Sequence, residues 1–202
     1  MSVELRKTTY NDLDDIMTWV NDPGITGYFS TMGNISRDQE FDYLTKILSS
    51  KTDKLWTIFV DGKYAGQCSV NQICWQSLNG RIFLILKKEF QGCGIAHKVL
   101  EVLMHNCFNT LNLNKLWLIV REANEKGRFL YSKCGFETEG VLRDEYRIGK
   151  EFVNMVRMAI LKKTMNAGTG NKTHDLLQTC NGSFSFFSDY MLKYTHLTIT
   201  NF

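Results

Sequence analysis

The stretch that most constrains this fold is residues 81–108. An apolar β-type run, Arg81 to Lys87, leads into the glycine turn Gln91-Gly92-Cys93-Gly94-Ile95-Ala96 and then into an amphipathic helix. Along that helix Ile95, Val99, Leu103 and Cys107 make one row and Ala96, Leu100, Met104 and Phe108 the next, while His97, Lys98, Glu101 and His105 fall outside both. One face is therefore predicted to be core and the other wet. A strand, a glycine turn and a helix in succession present unpaired backbone N–H groups, backed by the positive end of the helix dipole, to an anion. Gly92 and Gly94 have no side chain to block the approach of a phosphate.

The rest of the chain reads as alternating layers. Val3 to Thr8 suggests a first strand, followed by a helix capped by Asn11, with Asp12, Asp14 and Asp15 in its first turn, that ends before the turn Asn21-Asp22-Pro23-Gly24. A second helix begins at the capping box Ser36-Arg37-Asp38-Gln39, carries Phe41, Leu44, Ile47 and Leu48 at helical spacing, and runs to about Ser50. Two β-rich runs, Leu55 to Val60 and Tyr64 to Ile73, are joined by Asp61-Gly62-Lys63, and Asn79-Gly80 is read as the turn into the third, Arg81 to Lys87. Beyond the central helix come a short buried-type strand, Leu116 to Val120, and a short helix from Glu125 to Cys134 closed by Gly135. A last strand pair, Phe136 to Arg147 and Glu151 to Leu161, turns at Ile148-Gly149-Lys150. A strand-helix-strand unit within an antiparallel meander predicts a mixed α/β layer structure.

With 202 residues the chain holds one sizeable core, placed at residues 1–163. Residues 164–202 are Asn-, Thr-, Ser- and Gly-rich, enter through Gly168-Thr169-Gly170, and are set apart as an extension: a homodimer contact, the stub of a second domain, or unstructured chain. The net charge of +3 comes from Lys and Arg scattered among Asp and Glu, with no sustained basic stripe, so a nucleic-acid partner is not expected. No export signal and no membrane-length apolar run is legible, so a cytoplasmic protein with reduced thiols is expected. The six cysteines form no C-x-x-C pair, and no metal site is predicted.

Three phosphate-binding readings compete for the turn. A nucleotide P-loop needs Gly-Lys-Ser/Thr where Gly94-Ile95-Ala96 stands, and fails. A dinucleotide fingerprint needs a small third residue where His97 stands and an acidic residue after the next strand, which ends in Arg121 instead; that reading is weak. The third follows from a resemblance. Gln91-x-x-Gly94-x-Ala96 resembles the Arg/Gln-x-x-Gly-x-Gly/Ala signature of the GNAT superfamily of N-acetyltransferases. The segment from Asn124 to Phe136 is similar to that family's Asn-x-x-Ala-x-x-x-Tyr-x-x-x-Gly-Phe, departing only in Gly127 for Ala.

The resemblance implies a mostly antiparallel, splayed central sheet with helices on both faces, and acetyl-CoA as the cofactor. It implies that the backbone of Gln91, Gly92, Cys93, Gly94, Ile95 and Ala96 holds the cofactor's diphosphate and that the backbone of Ile85 and Leu86 binds the thioester arm. Asn124 is implied to contact the cofactor, and Tyr131 to protonate the departing sulfur. A phenol stays protonated at neutral pH, which suits a general acid for a thiolate. Cys93 occupies a variable position in the turn, so direct attack by a small-molecule amine is expected rather than an acyl-cysteine. The general base is open among Asp22, Glu89, Glu122 and Glu151.

Leu111 to Leu116 and Asn154 to Met158 resemble the ribosomal-protein N-terminal and spermidine acetyltransferase subgroup, whereas Trp19-Val20-Asn21-Asp22-Pro23-Gly24-Ile25 resembles the opening of sugar-nucleotide N-acetyltransferases. Ser69, Gln72 and Arg81 form a neutral-to-basic lining that disfavours a polycation, and Arg81 with Trp75 suits a diphosphate and a base. The expectation is thus a nucleotide-linked amino sugar as acceptor, with a protein N-terminal amine second and a non-catalytic CoA-binding module third.

Overall fold

The computed structural model describes residues 1–26 and 34–168, and in it one seven-stranded sheet runs in the order β1-β2-β3-β4-β5-β7-β6. Its strands are β1 (Val3–Lys7), β2 (Lys54–Val60), β3 (Lys63–Cys74), β4 (Asn79–Leu86), β5 (Lys115–Arg121), β6 (Glu137–Ile148) and β7 (Glu151–Leu161). Its helices are α1 (Leu13–Val20), α2 (Pro23–Thr26), α3 (Arg37–Leu48), α4 (Ile95–His105), α5 (Glu125–Lys133) and α6 (Lys162–Gly168). Every neighbouring strand pair is antiparallel except β4 and β5, which are parallel. This is the mixed α/β architecture, with helices on both faces of the sheet.

The first hairpin turns on Asp61 and Gly62, both with positive φ (48° and 77°), the conformation a two-residue turn between twisted strands requires. Alternation along β4 then divides the core. Ile82 and Leu86 join the large cluster under α4, built on Val99, Leu100, Leu103, Cys107 and Phe108. Ile85 joins a second cluster with Leu13, Ile16, Trp19 and Leu44 from α1 and α3. Of the two rows expected on α4, Ile95, Val99, Leu103, Leu100 and Met104 are buried and Ala96 is half-buried, while Cys107 and Phe108 continue the buried face in a π turn at Asn106–Thr110.

Three local expectations need correction. Asn11 does not cap the first helix: it lies inside a 3-10 turn, Tyr10–Asp12, that precedes α1 and is N-capped by Thr9, whose N–H donates to Asp12 Oδ2 at 2.7 Å, and Asp12 occupies the N-cap position of α1. Asn79-Gly80 is not a hairpin turn. The chain reverses through residues 75–78, where Leu78 takes φ 49°, and Asn79 already pairs with Cys74. Gly80 is required by packing instead, since a Cβ there would meet Val70 Cγ2 at 2.6 Å. Finally, α6 carries helix past residue 163 to Gly168, so the backbone does not break where the composition changes. The remainder of the extension, with its expected homodimer contact, lies outside the described residues.

Candidate active site

β4 and β5 part company early. Only Asn79, Gly80 and Arg81 pair with β5, opposite Lys115, Leu116 and Trp117, and from Ile82 onward the two strands diverge. β4 keeps its other neighbour, with Gln67 opposite Ile85 and Gly66 opposite Leu86. The β5-facing backbone groups of residues 82–86 therefore open into a cleft, where an unpaired N–H or C=O is a strong hydrogen-bonding group awaiting a partner. The cleft encloses about 310 Å³. Ile85 and Leu86 line it, but their side chains are core, 4% and 6% exposed, leaving the backbone as what they offer.

The glycine turn joins this cleft through Gln91, which lines it. Gln91, Gly92, Cys93 and Gly94 are exposed, Ala96 is half-buried, and the Ile95 side chain is buried under α4, so Ile95 contributes its backbone. Gly92 and Gly94 have φ of 78° and 79°, and a Cβ built on either would meet nothing within 4 Å. Left-handed backbone is what only glycine adopts without strain, and the open space in front of it is what an anionic group needs. A diphosphate fits this turn, as coenzyme A requires. Gln91 acts indirectly: its Nε2 donates to the Leu86 carbonyl at 2.8 Å, tying the turn back to the end of β4. The Cys93 thiol leans on the Phe90 carbonyl at 3.4 Å.

The opposite wall is α5. Asn124 is its N-cap, with Oδ1 accepting from the Gly127 N–H at 2.9 Å. This orphan-donor satisfaction starts the helix and places Asn124 on the cleft wall. Gly135, at φ 89°, ends the helix in a left-handed cap, and the chain returns so that the Phe136 N–H donates to the Tyr131 carbonyl at 3.0 Å. Buried Phe136 then meets the Tyr131 ring edge-on, 5.9 Å between centroids, fixing a half-buried phenol against the cleft. Burial pushes the Tyr131 hydroxyl up to about 12, with the nearby Cys134 thiol adding to the effect.

The structure brings Ile85, Leu86, Gln91, Asn124 and Tyr131 to one cavity, whereas Gly92, Cys93, Gly94, Ile95 and Ala96 follow Gln91 in sequence without lining it. The candidate bases fare differently. Asp22 is held by Lys88 at 3.0 Å and by the Gly24 N–H, which keep its pKa low. Glu89 is likewise lowered, by its own backbone N–H and by Lys87. Glu122 accepts from Asn154 Nδ2 at 2.9 Å, and Glu151 lies exposed at the β6–β7 turn. None of the four lines the cleft.

Sequence reasoning missed Arg121, Lys126, Tyr146, Ile148 and Met155, all of which line the cavity. β6 and β7 deliver the last three across the gap left by the splayed strands, a long-range placement that no local pattern carries. Of the expected acceptor wall only Arg81 stands in the cleft. Ser69 is buried, Gln72 is turned to donate its N–H to Asp53 Oδ1 at 2.7 Å, and Trp75 points its indole N–H at the Lys51 carbonyl, 2.9 Å away. The stretch at residues 75–78 is the β3–β4 turn, which is why Trp75 leaves the cleft.

Residues 2–137 match the family model described as Acetyltransferase (GNAT) domain. The spermidine N(1)-acetyltransferase of Escherichia coli K12 is 29% identical over 161 residues, covering 80% of this chain and 87% of that one. The putative ribosomal N-acetyltransferase YdaF of Bacillus subtilis is 27% identical over 106 residues, 52% of this chain and 58% of its own. The crystal structure of spermidine N-acetyltransferase from Vibrio cholerae in complex with CoA and spermine has a TM-score of 0.77 at 25% identity, covering 81% of this chain and 98% of that one.

Proposed function

The chain belongs to the GNAT acetyltransferase family and is an acetyl-CoA-dependent N-acetyltransferase, and on that premise we propose that a neutral primary amine attacks directly in the β4–β5 cleft with Tyr131 as the proton source for sulfur. The observation that carries this reading is convergence: the edge of β4 that diverges from β5, the N-cap of α5, the Tyr131 phenol and Gln91, the first residue of the glycine turn, line one cavity.

When bound, acetyl-CoA supplies a thioester carbonyl open to attack. The backbone N–H groups of residues 91–96 seat its diphosphate, and Gln91 keeps the turn closed on Leu86. The β4 backbone at Ile85 and Leu86 aligns the arm, and Asn124 steadies it from the facing wall. Tyr131 keeps its proton across the pH range in which an alkyl amine becomes neutral. Because its pKa lies well above that of a thiol, it hands the proton over only as negative charge gathers on sulfur. Cys93 leans on the Phe90 carbonyl and does not line the cavity that holds Tyr131, in keeping with attack without an acyl-cysteine.

The names of the relatives make spermidine and spermine the reference acceptors. The nucleotide-linked amino sugar keeps Arg81 but loses Trp75 as its aromatic platform. Thiol release from acetyl-CoA, followed with spermidine, spermine, UDP- and dTDP-linked amino sugars and a short peptide, tests the function. Release with a primary amine that Y131F suppresses supports it; firm acetyl-CoA binding with no release for any amine counts against it.

A further inference from the structure

Resting on the transferase reading above, we propose that Arg81 selects an acceptor that carries an anionic group, phosphate or carboxylate, alongside its amine. Arg81 is 7% exposed and lines the cleft, yet no carboxylate forms an ion pair with it among the described residues. The Trp117 ring centroid lies 5.7 Å from the guanidinium. The contrast is with Arg157, which lies 4.1 Å from the same ring and is neutralised by Glu139 at 3.2 Å. A guanidinium that lines a cleft with little access to water and no counter-charge is placed to gain a charge-assisted contact from an anionic ligand group.

Neighbouring donors point the same way. Gln67, opposite Ile85 on β3, is 7% exposed with an unpartnered Nε2, a donor suited to an anion, while Asn71, opposite Arg81, is 9% exposed with an unpartnered Oδ1, an acceptor that itself calls for a donor. Strand alternation puts Gln67, Asn71, Arg81 and Ile85 on the same face of the sheet. Arg121, on the same face of β5 and also lining the cleft, has a buried Nε without a partner. Lys126 adds a further positive charge, and among the described residues no Asp or Glu lines the cavity. The cofactor's diphosphate does not answer Arg81, because the turn that seats it follows the far end of β4, about 17 Å along the strand from Arg81 at ~3.3 Å per residue. A polyamine would bring more cations to a wall that already holds uncompensated ones.

Matched acceptors test this with the full chain and saturating acetyl-CoA: glucosamine 6-phosphate against glucosamine for phosphate, 4-aminobutyrate against 1,4-diaminobutane for carboxylate, and spermidine as the reference polycation. At least one anionic member is expected to exceed its partner in kcat/KM by about tenfold or more, in keeping with a charge-assisted Arg contact, and the arm that responds identifies the anion. R81Q is expected to bring that ratio near one while leaving the KM for acetyl-CoA within about twofold, and R81K to retain part of it because charge survives without the fork. Spermidine as the preferred acceptor, or R81Q lowering both members of a pair alike, overturns the proposal and leaves the transferase reading intact. No thiol release with any acceptor overturns both. If R81Q does not fold, the wild-type ratios and R81K decide.

Discussion

Asn124 and Gly127 share a hydrogen bond of 2.9 Å, and a Cβ on residue 127 would lie 2.8 Å from the Asn124 Nδ2. The helix cap and the proposed cofactor contact are thereby one side chain, and residue 127 sets its position. G127A is expected to gain about 1 kcal/mol of helix propensity and to lose a similar amount by displacing the cap. Its melting temperature should stay close to wild type while the KM for acetyl-CoA rises severalfold. N124A should lower both, with about 1 kcal/mol of stability lost. Thermal melts beside acetyl-CoA titrations check this; an unchanged KM in both variants would remove Asn124 from the cofactor site.

Tyr131 holds its place through its ring, edge-on to Phe136, and through its own backbone carbonyl. Phenylalanine preserves both. Y131F is therefore expected to fold normally, to bind acetyl-CoA with unchanged affinity, and to lose about a hundredfold or more in kcat, the range of a general acid. Single-turnover rates beside calorimetric binding separate these effects, and wild-type turnover in Y131F would end the assignment.

The same residue fixes a pH dependence. Folding raises the Tyr131 pKa from the usual value near 10 to about 12 through burial, so the native protein binds this proton more tightly than the unfolded chain. Its contribution is whole below pH 10 and is lost as pH climbs toward 12. With saturating acceptor, kcat should show no Tyr131-dependent fall between pH 9 and 11. A descending limb centred near pH 10 in the wild type, absent from Y131F, would contradict this.

Much of this organisation is legible locally. The two apolar rows of α4, the Ser36–Gln39 capping box and the Asp61-Gly62 turn each act within a few residues, and each stands where the sequence places it. Errors arise where one signal serves two physical ends. Asn79-Gly80 spells a hairpin, but Gly80 is small because Val70 presses on it from the neighbouring strand. On α3 the face toward the sheet is Glu40, Tyr43, Leu44 and Ile47, so Phe41 turns outward, 45% exposed, to meet the Tyr10 ring at 5.2 Å. Apolar spacing alone does not reveal that a glutamate is buried in its place. In the site, the motif residues were found through local signatures, whereas Arg121, Tyr146 and Met155 owe their place to the divergence of β4 from β5 and to the β7–β6 pair beyond it.

Trp75 offers a control. Its indole donates to the Lys51 carbonyl and it packs at the edge of the core under α4, outside the cleft. W75F should lose that hydrogen bond, about 1 kcal/mol, yet leave kcat/KM for every acceptor within about twofold. A selective loss with nucleotide-linked amines, measured beside spermidine, would restore Trp75 to the acceptor wall.

Gly94 separates strain from obstruction. At φ 79° any L side chain is strained by about 1–2 kcal/mol, and a methyl group there points into open space rather than into the protein. G94A should accordingly lose about that much stability without ligand. Its acetyl-CoA affinity should fall by more than tenfold, because the methyl stands where the diphosphate approaches the amides. The acceptor KM, extrapolated to saturating acetyl-CoA, should hardly move, since Arg81, the proposed acceptor contact, lies at the other end of β4 from the turn. A stability loss without a loss of acetyl-CoA affinity would mean that the turn's left-handed geometry serves the fold alone and that the diphosphate is seated elsewhere.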